Sequence, residues 1–99
     1  MHRSKNLAEI QADVVAWANE VLPNRDVSSM LIKLMEEMGE VAKNPSDALQ
    51  LADILILLVD IADNYDIDLT QAVDNRMHIN RIRRWNKNRH TGVMERQDG

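Results

Sequence analysis

Apolar residues recur along this chain at spacings of three and four, and four segments keep that rhythm. Leu7, Ile10, Val14, Trp17 and Val21 form the first, an amphipathic helix expected to start at a Ser4 cap and to end at Pro23-Asn24. Leu31, Leu34, Met35, Met38 and Val41 mark the apolar face of a second helix, capped by Ser28 or Ser29. From Leu49 to Ile61 the chain is apolar almost all round, broken by Asp53 and Asp60. A helix of that kind is normally buried on several sides. Ser46 is its expected cap, with Asp47 in the first turn, where a negative charge suits the helix dipole. Val73, Met77, Ile79, Ile82 and Trp85 carry a fourth helix from an Asp68 or Thr70 cap to about Lys87. No alternating strand pattern or internal repeat is visible. The pattern predicts an all-α fold, a four-helix bundle forming one domain over residues 1–90, with 91–99 as a loose tail.

Size sharpens that picture. A core built from 99 residues is marginal alone, so tight helical packing or oligomerisation is expected to complete it. With no cysteine, disulfides, thiolate zinc sites and cysteine nucleophiles are excluded, and a reducing cytoplasm is the expected setting. The chain opens on a polar-patterned helix, not an apolar signal region. The longest apolar run, Ile54 to Val59, is too short for a membrane span.

The formal charge of −4 is unevenly placed. Residues 1–75 hold 14 acids against 5 bases, a net of −9, and residues 76–99 hold 2 acids against 7 bases, a net of +5. An acidic body beside a basic last helix can hold a metal and an anion together, or pack against a complementary subunit. The net negative charge and the single aromatic among Arg76, Arg81, Arg83, Arg84, Lys87 and Arg89 argue against nucleic acid.

The candidate chemistry lies between Glu36 and Asp53. Glu36, Glu37 and Glu40 are spaced to share one arc of the second helix, and Gln50 and Asp53 share a face of the third. Charged helix faces are common, so the glutamates alone read as a solvated surface. Asp53 changes the balance, because an unpaired charge in an apolar helix is costly. Oxygen ligands gathered across a helix pair suit hard cations, Mg²⁺ first and Mn²⁺ as an alternative. Glu-x-x-His pairs, clustered His ligands, a phosphate-binding glycine loop and a Ser/His/Asp grouping are all absent from the sequence. Trp17 and Trp85 are either core residues or platforms for a base.

Glu36-Glu37-Met38-Gly39-Glu40 followed by Gln50-Leu51-Ala52-Asp53 resembles the paired acidic motifs of the MazG-like all-α nucleotide pyrophosphohydrolases. Trp17-Ala18, Pro23 and Lys33-Leu34 resemble the segment preceding that motif. Arg76-Met77-His78-Ile79-Asn80 through Arg83 and Trp85 resembles the family's last-helix pattern. The resemblance covers roughly residues 10–90. It implies a bundle that assembles as a homodimer or homotetramer. It also implies metal-dependent hydrolysis of a nucleoside triphosphate to monophosphate and pyrophosphate. By position, Glu37, Glu40 and Asp53 would hold metal, Glu36 would orient or deprotonate the attacking water, and Lys33, Asn80, Arg83 and Arg76 would hold phosphates. Gln50 stands where the family has Glu. Its amide oxygen can coordinate but carries no full charge, and Asp47 or Asp60 would be the nearest compensating acids. That departure keeps two other expectations open: a nucleotide- or metal-binding module without turnover, and a helical interaction protein.

Overall fold

The computed structural model describes residues 3–83 and the backbone of two short strands, 85–87 and 94–96. Four helices make the body: α1 (Leu7–Val21), α2 (Val27–Lys43), α3 (Ala48–Asn64) and α4 (Leu69–Ile82). β1 (Trp85–Lys87) and β2 (Met94–Arg96) then pair antiparallel, Asn86 opposite Glu95. The fourth helix therefore ends before the expected Lys87. Arg83 turns extended (φ −80°, ψ 155°) and closes α4 by donating its backbone N–H to Ile79 O. Part of the stretch read as a loose tail is strand β2. The remainder of that stretch lies outside the described residues, as does the side chain of Trp85.

Each helix starts on a short acidic or amide side chain. Asn6, not Ser4, caps α1, in a capping box with Glu9. Asp26, not Ser28 or Ser29, caps α2 by accepting from Ser29 N. Asp47, not Ser46, caps α3 by accepting from Leu49 N and Gln50 N. Asp68 caps α4 as expected. The cap must be the last extended residue before the helix turns, and these four are extended. Helix α3 ends in a Schellman motif: Ile67 N–H reaches Ala62 O and Asp66 N–H reaches Asp63 O, with Asp66 at φ 55°. Gln11 then ties α1 to this corner through both ends of its amide, to Ile67 O and Leu69 N.

Helix α3 is the centre, packed by α2 on one side and α1 on another, while α4 lies on α1. The core is small: Ala18, Met30, Val59 and Ala62, with the polar Asp60 among them. The inner face of α2 is Met30, Leu34, Glu37 and Val41. Leu31, Met35 and Met38, expected on the core face, stay exposed, as do Leu51, Leu55 and Leu58 along α3. Gly39 lies near that outer surface, and a β-carbon there would meet nothing within 4 Å. The chain exposes 7876 Å², roughly 2,000 Å² more than a compact monomer of its mass. Among the described residues, no helix is long and apolar enough to cross a membrane.

Candidate functional site

The acidic motif divides between inside and outside. Successive helical residues point about 100° apart, so Glu37 turns toward α3 with a side chain 14% exposed, while Glu36 and Glu40 face solvent at 64% and 58%. The single arc expected for the three glutamates is thus corrected to one inward and two outward carboxylates.

Both oxygens of Glu37 are engaged. Lys33, one turn earlier, places its Nζ 3.1 Å from Oε1, the i,i+4 pair that the spacing predicts. Gln50, on α3, donates its Nε2 amide to Oε2. That bond joins α2 to α3 at the position where the motif departs from its pattern. The Lys33 ammonium also lies 3.8 Å from Glu36 Oε2. Its pKa is raised, chiefly by the hydrogen bond and charge of Glu37, then by Glu36 and Asp53. Lys33 therefore serves as a counter-ion within the acidic group. Asp53 follows Gln50 by about one turn, and no hydrogen bond or ion pair among the described residues ties down its carboxylate. Glu40 lies farther along α2 and pairs with Lys43 at 3.5 Å.

Among the described residues, no three carboxylates or histidines close on one point. The donors that face each other are nonetheless all oxygens, or an amide able to present one, and the group already holds an ammonium. That chemistry fits a hard divalent cation.

Glu37 and Asp53 open onto a cleft of about 500 Å³ between α1, α2 and α3, within the range of small-molecule sites. Lys33, Glu37 and Asp53 line one end. Trp17, Val14, Leu22, Met30, Ile56 and Leu57 make apolar walls, and Arg25 and Asp60 line the other end. A surface depression of about 660 Å³, between α1 and the α3–α4 corner, contains none of the expected site residues.

The Arg25–Asp60 pair was not legible as a site. The guanidinium meets the carboxylate as a fork, Nε to Oδ2 at 2.6 Å and Nη2 to Oδ1 at 2.7 Å. The two side chains are only 13% and 7% exposed. Asp60 is therefore committed to Arg25 and does not compensate for Gln50. Asp47, as the α3 cap, does not either. The available signal was an acid inside an apolar helix, which needs a cation; Arg25, in the loop after α1, is that cation.

Of the expected phosphate-holding residues, Lys33 is in the cleft. Arg76, Asn80 and Arg83 are carried by α4 and its C-cap, which packs on α1 and contributes no residue to the cleft lining. Asn80 is half-buried and places its Nδ2 3.8 Å from Met77 Sδ.

A sequence profile of the dATP/dGTP pyrophosphohydrolase family matches residues 10–97. The chain is 38% identical over 81 residues to a dATP/dGTP diphosphohydrolase of Cyanophage S-2L, covering 80% of this chain and 77% of that one. It is 37% identical over 82 residues to a dATP/dGTP diphosphohydrolase of Salmonella phage PMBT28, covering 82% of this chain but 28% of that longer protein. The fold superimposes on the Cyanophage S-2L MazG-like pyrophosphohydrolase bound to dGDP and three catalytic Mn²⁺ ions per active site. That match has a TM-score of 0.83 at 35% identity and covers 97% and 96% of the two chains.

Proposed function

This chain belongs to the dATP/dGTP pyrophosphohydrolase family, and from that premise we propose that it hydrolyses purine 2′-deoxynucleoside triphosphates to monophosphate and pyrophosphate. One observation carries the assignment to a place: Lys33, Glu37 and Asp53, from two helices, share one end of a nucleotide-sized cleft whose wall includes Trp17.

In this reading the triphosphate lies at the acidic end and the base extends along the apolar wall against Trp17. Glu37, Asp53 and Glu40, with an amide oxygen from Gln50, would hold divalent cations, Mg²⁺ or Mn²⁺, whose chemistry would be to draw charge from the phosphates and lower the pKa of the attacking water. Glu36, exposed beside the inward Glu37, accepts the proton of the attacking water. The water oxygen bonds to the α-phosphorus, and the bond from that phosphorus to the α–β bridging oxygen breaks. Its electrons leave with pyrophosphate. Lys33 moves from Glu37 to the phosphates and offsets the charge that develops on the leaving group; Arg76, Asn80 and Arg83, on α4 and its C-cap, reach the pyrophosphate only if a second copy brings them to the cleft. A cytoplasmic setting follows from the nucleotide pool on which such an enzyme acts.

A second copy of the chain completes the bundle in this reading. Leu51, Leu55 and Leu58 form an exposed stripe on α3, flanked by Leu31, Met35 and Met38 on α2. The excess, roughly 2,000 Å² on one chain, falls in the range of about 1,000–2,500 Å² per partner that obligate homodimers cover. Leu55→Glu is expected to halve the particle mass in light scattering; an unchanged mass would place the interface elsewhere.

The test of function is pyrophosphate release from the four deoxynucleoside and four ribonucleoside triphosphates with Mg²⁺ or Mn²⁺, by the native protein and Gln50→Glu. Metal-dependent release from dATP and dGTP is the expected result. Silence from the native chain with turnover by Gln50→Glu would make the native protein a binding module. Silence from both, in folded protein, would refute the assignment.

A further inference from the structure

The two acids of α3 stand seven residues apart, two turns, so they project from nearly the same face. Their α-carbons are separated by about 10 Å along the axis. Asp53 lines the cleft where the proposed function puts the phosphates. Asp60 and Arg25 line the same cleft, about 10 Å farther along α3.

Arg25 is held unusually firmly. Nε and Nη2 bind Asp60, Nη2 also donates to Asn19 Oδ1 at 3.0 Å, and Nη1 donates to Leu22 O at 3.2 Å. A guanidinium has five N–H groups, so these contacts occupy four of them. The fifth, on Nη1, has no acceptor among the described residues, and the side chain lines the cleft. Around it the lining is Trp17, Leu22, Met30, Ile56 and Leu57, none with an acceptor side chain, and Ser29, whose hydroxyl is engaged by the Asp26 carboxylate. A base entering this end therefore meets one fixed, positively charged donor.

Resting on the proposed function, we propose that Arg25 determines base selection, donating its fifth N–H to purine N7, with Asp60 and Asn19 as positioning residues. N7 is the acceptor that adenine and guanine present at the same place, whereas their six-position groups are opposite in character, an amino donor and a carbonyl acceptor. A single donor aimed at N7 accepts both purines. Pyrimidines have carbon at the corresponding edge and do not extend as far from the sugar. Such a contact selects purine from pyrimidine without separating adenine from guanine.

The test compares dissociation constants for dGDP and 7-deaza-dGDP, which replaces N7 by C–H, in the presence of Mn²⁺. The proteins are native, Arg25→Lys, and Arg25→Met combined with Asp60→Leu. The double variant removes the donor without stranding a buried carboxylate; Arg25→Lys keeps the charge opposite Asp60 and removes the fork. The native protein is expected to bind 7-deaza-dGDP on the order of ten-fold more weakly, the scale of one charge-assisted hydrogen bond. In each folded variant the two ligands are expected to bind within two-fold of each other. Equal binding by the native protein overturns the proposal, and so does a deaza penalty that persists in a folded variant. Because binding is the readout, this result is separate from pyrophosphate release: a chain that binds but does not turn over refutes the proposed activity and leaves the role of Arg25 decided by the deaza comparison.

Discussion

Asp53 and Asp60 are the same residue type, on nearly the same face of one helix, yet they live in opposite circumstances. Asp60 is 5% exposed and its carboxylate is saturated by Arg25, while Asp53 is exposed and has no hydrogen-bonded partner among the described residues. A buried charge fixed by a fork holds structure; a charge left open beside an inward glutamate is available for chemistry. The neighbourhood makes the difference, since Arg25 reaches one acid and the other faces the cleft mouth.

Four changes test that contrast. The largest effect is expected at the saturated end. Asp60→Ala leaves Arg25 buried without its partner and should destabilise the fold by about 3–5 kcal/mol, read by chemical denaturation, whereas Arg25→Met with Asp60→Leu should recover most of that loss. Recovery failing in the double variant would mean that packing, not charge, holds this corner. Next comes Asp53→Asn, which should lower pyrophosphate release by at least about a hundred-fold, the upper range for disturbing a metal ligand's surroundings. Its melting temperature should stay close to native; a large drop would show that Asp53 is structural after all.

Gln50→Glu is the third. It sets a second carboxylate against Glu37, so without metal the variant should melt below the native protein. With Mn²⁺ the order should reverse, with apparent metal affinity up by about ten-fold. A melting temperature indifferent to Mn²⁺ in both proteins would argue against metal at this pair. The smallest effect concerns the caps. The carboxyl of Glu9 is held below its ordinary pKa by Arg3 and then the Asn6 backbone, and that of Asp26 by the backbone and side chain of Ser29. Folded values below unfolded ones give stability that is present above pH about 4 and lost as pH falls through the depressed values. Asp26→Asn keeps the cap but not the charge, so its acid melting curve should be flatter than the native one over that range.

Much of this was legible from spacing alone. The apolar rhythm placed four helices, and the lone acids in α3 marked it as unusual. The cap residues were misread because serine and aspartate compete for that role, and the choice depends on where the backbone turns, as at Asp26 against Ser28 and Ser29. The outer apolar stripe was misread because residues at three-four spacing define an apolar face without saying what covers it. Met35 and Leu34 are adjacent in sequence and belong to opposite environments. On the site, the Lys33–Glu37 pair follows from helix geometry. Arg25 does not, because its partner lies 35 residues away and only the packing of α1 against α3 brings them together.

Lys33 and Gln50 occupy the two oxygens of Glu37 before any metal arrives. The acidic pocket is thus an ion exchanger loaded with a tethered monovalent cation. On the proposed reading, a divalent ion at Glu37 would exchange for the tethered amine instead of filling an empty seat. The displaced amine, still tied to α2, would stay at high local concentration beside the phosphates.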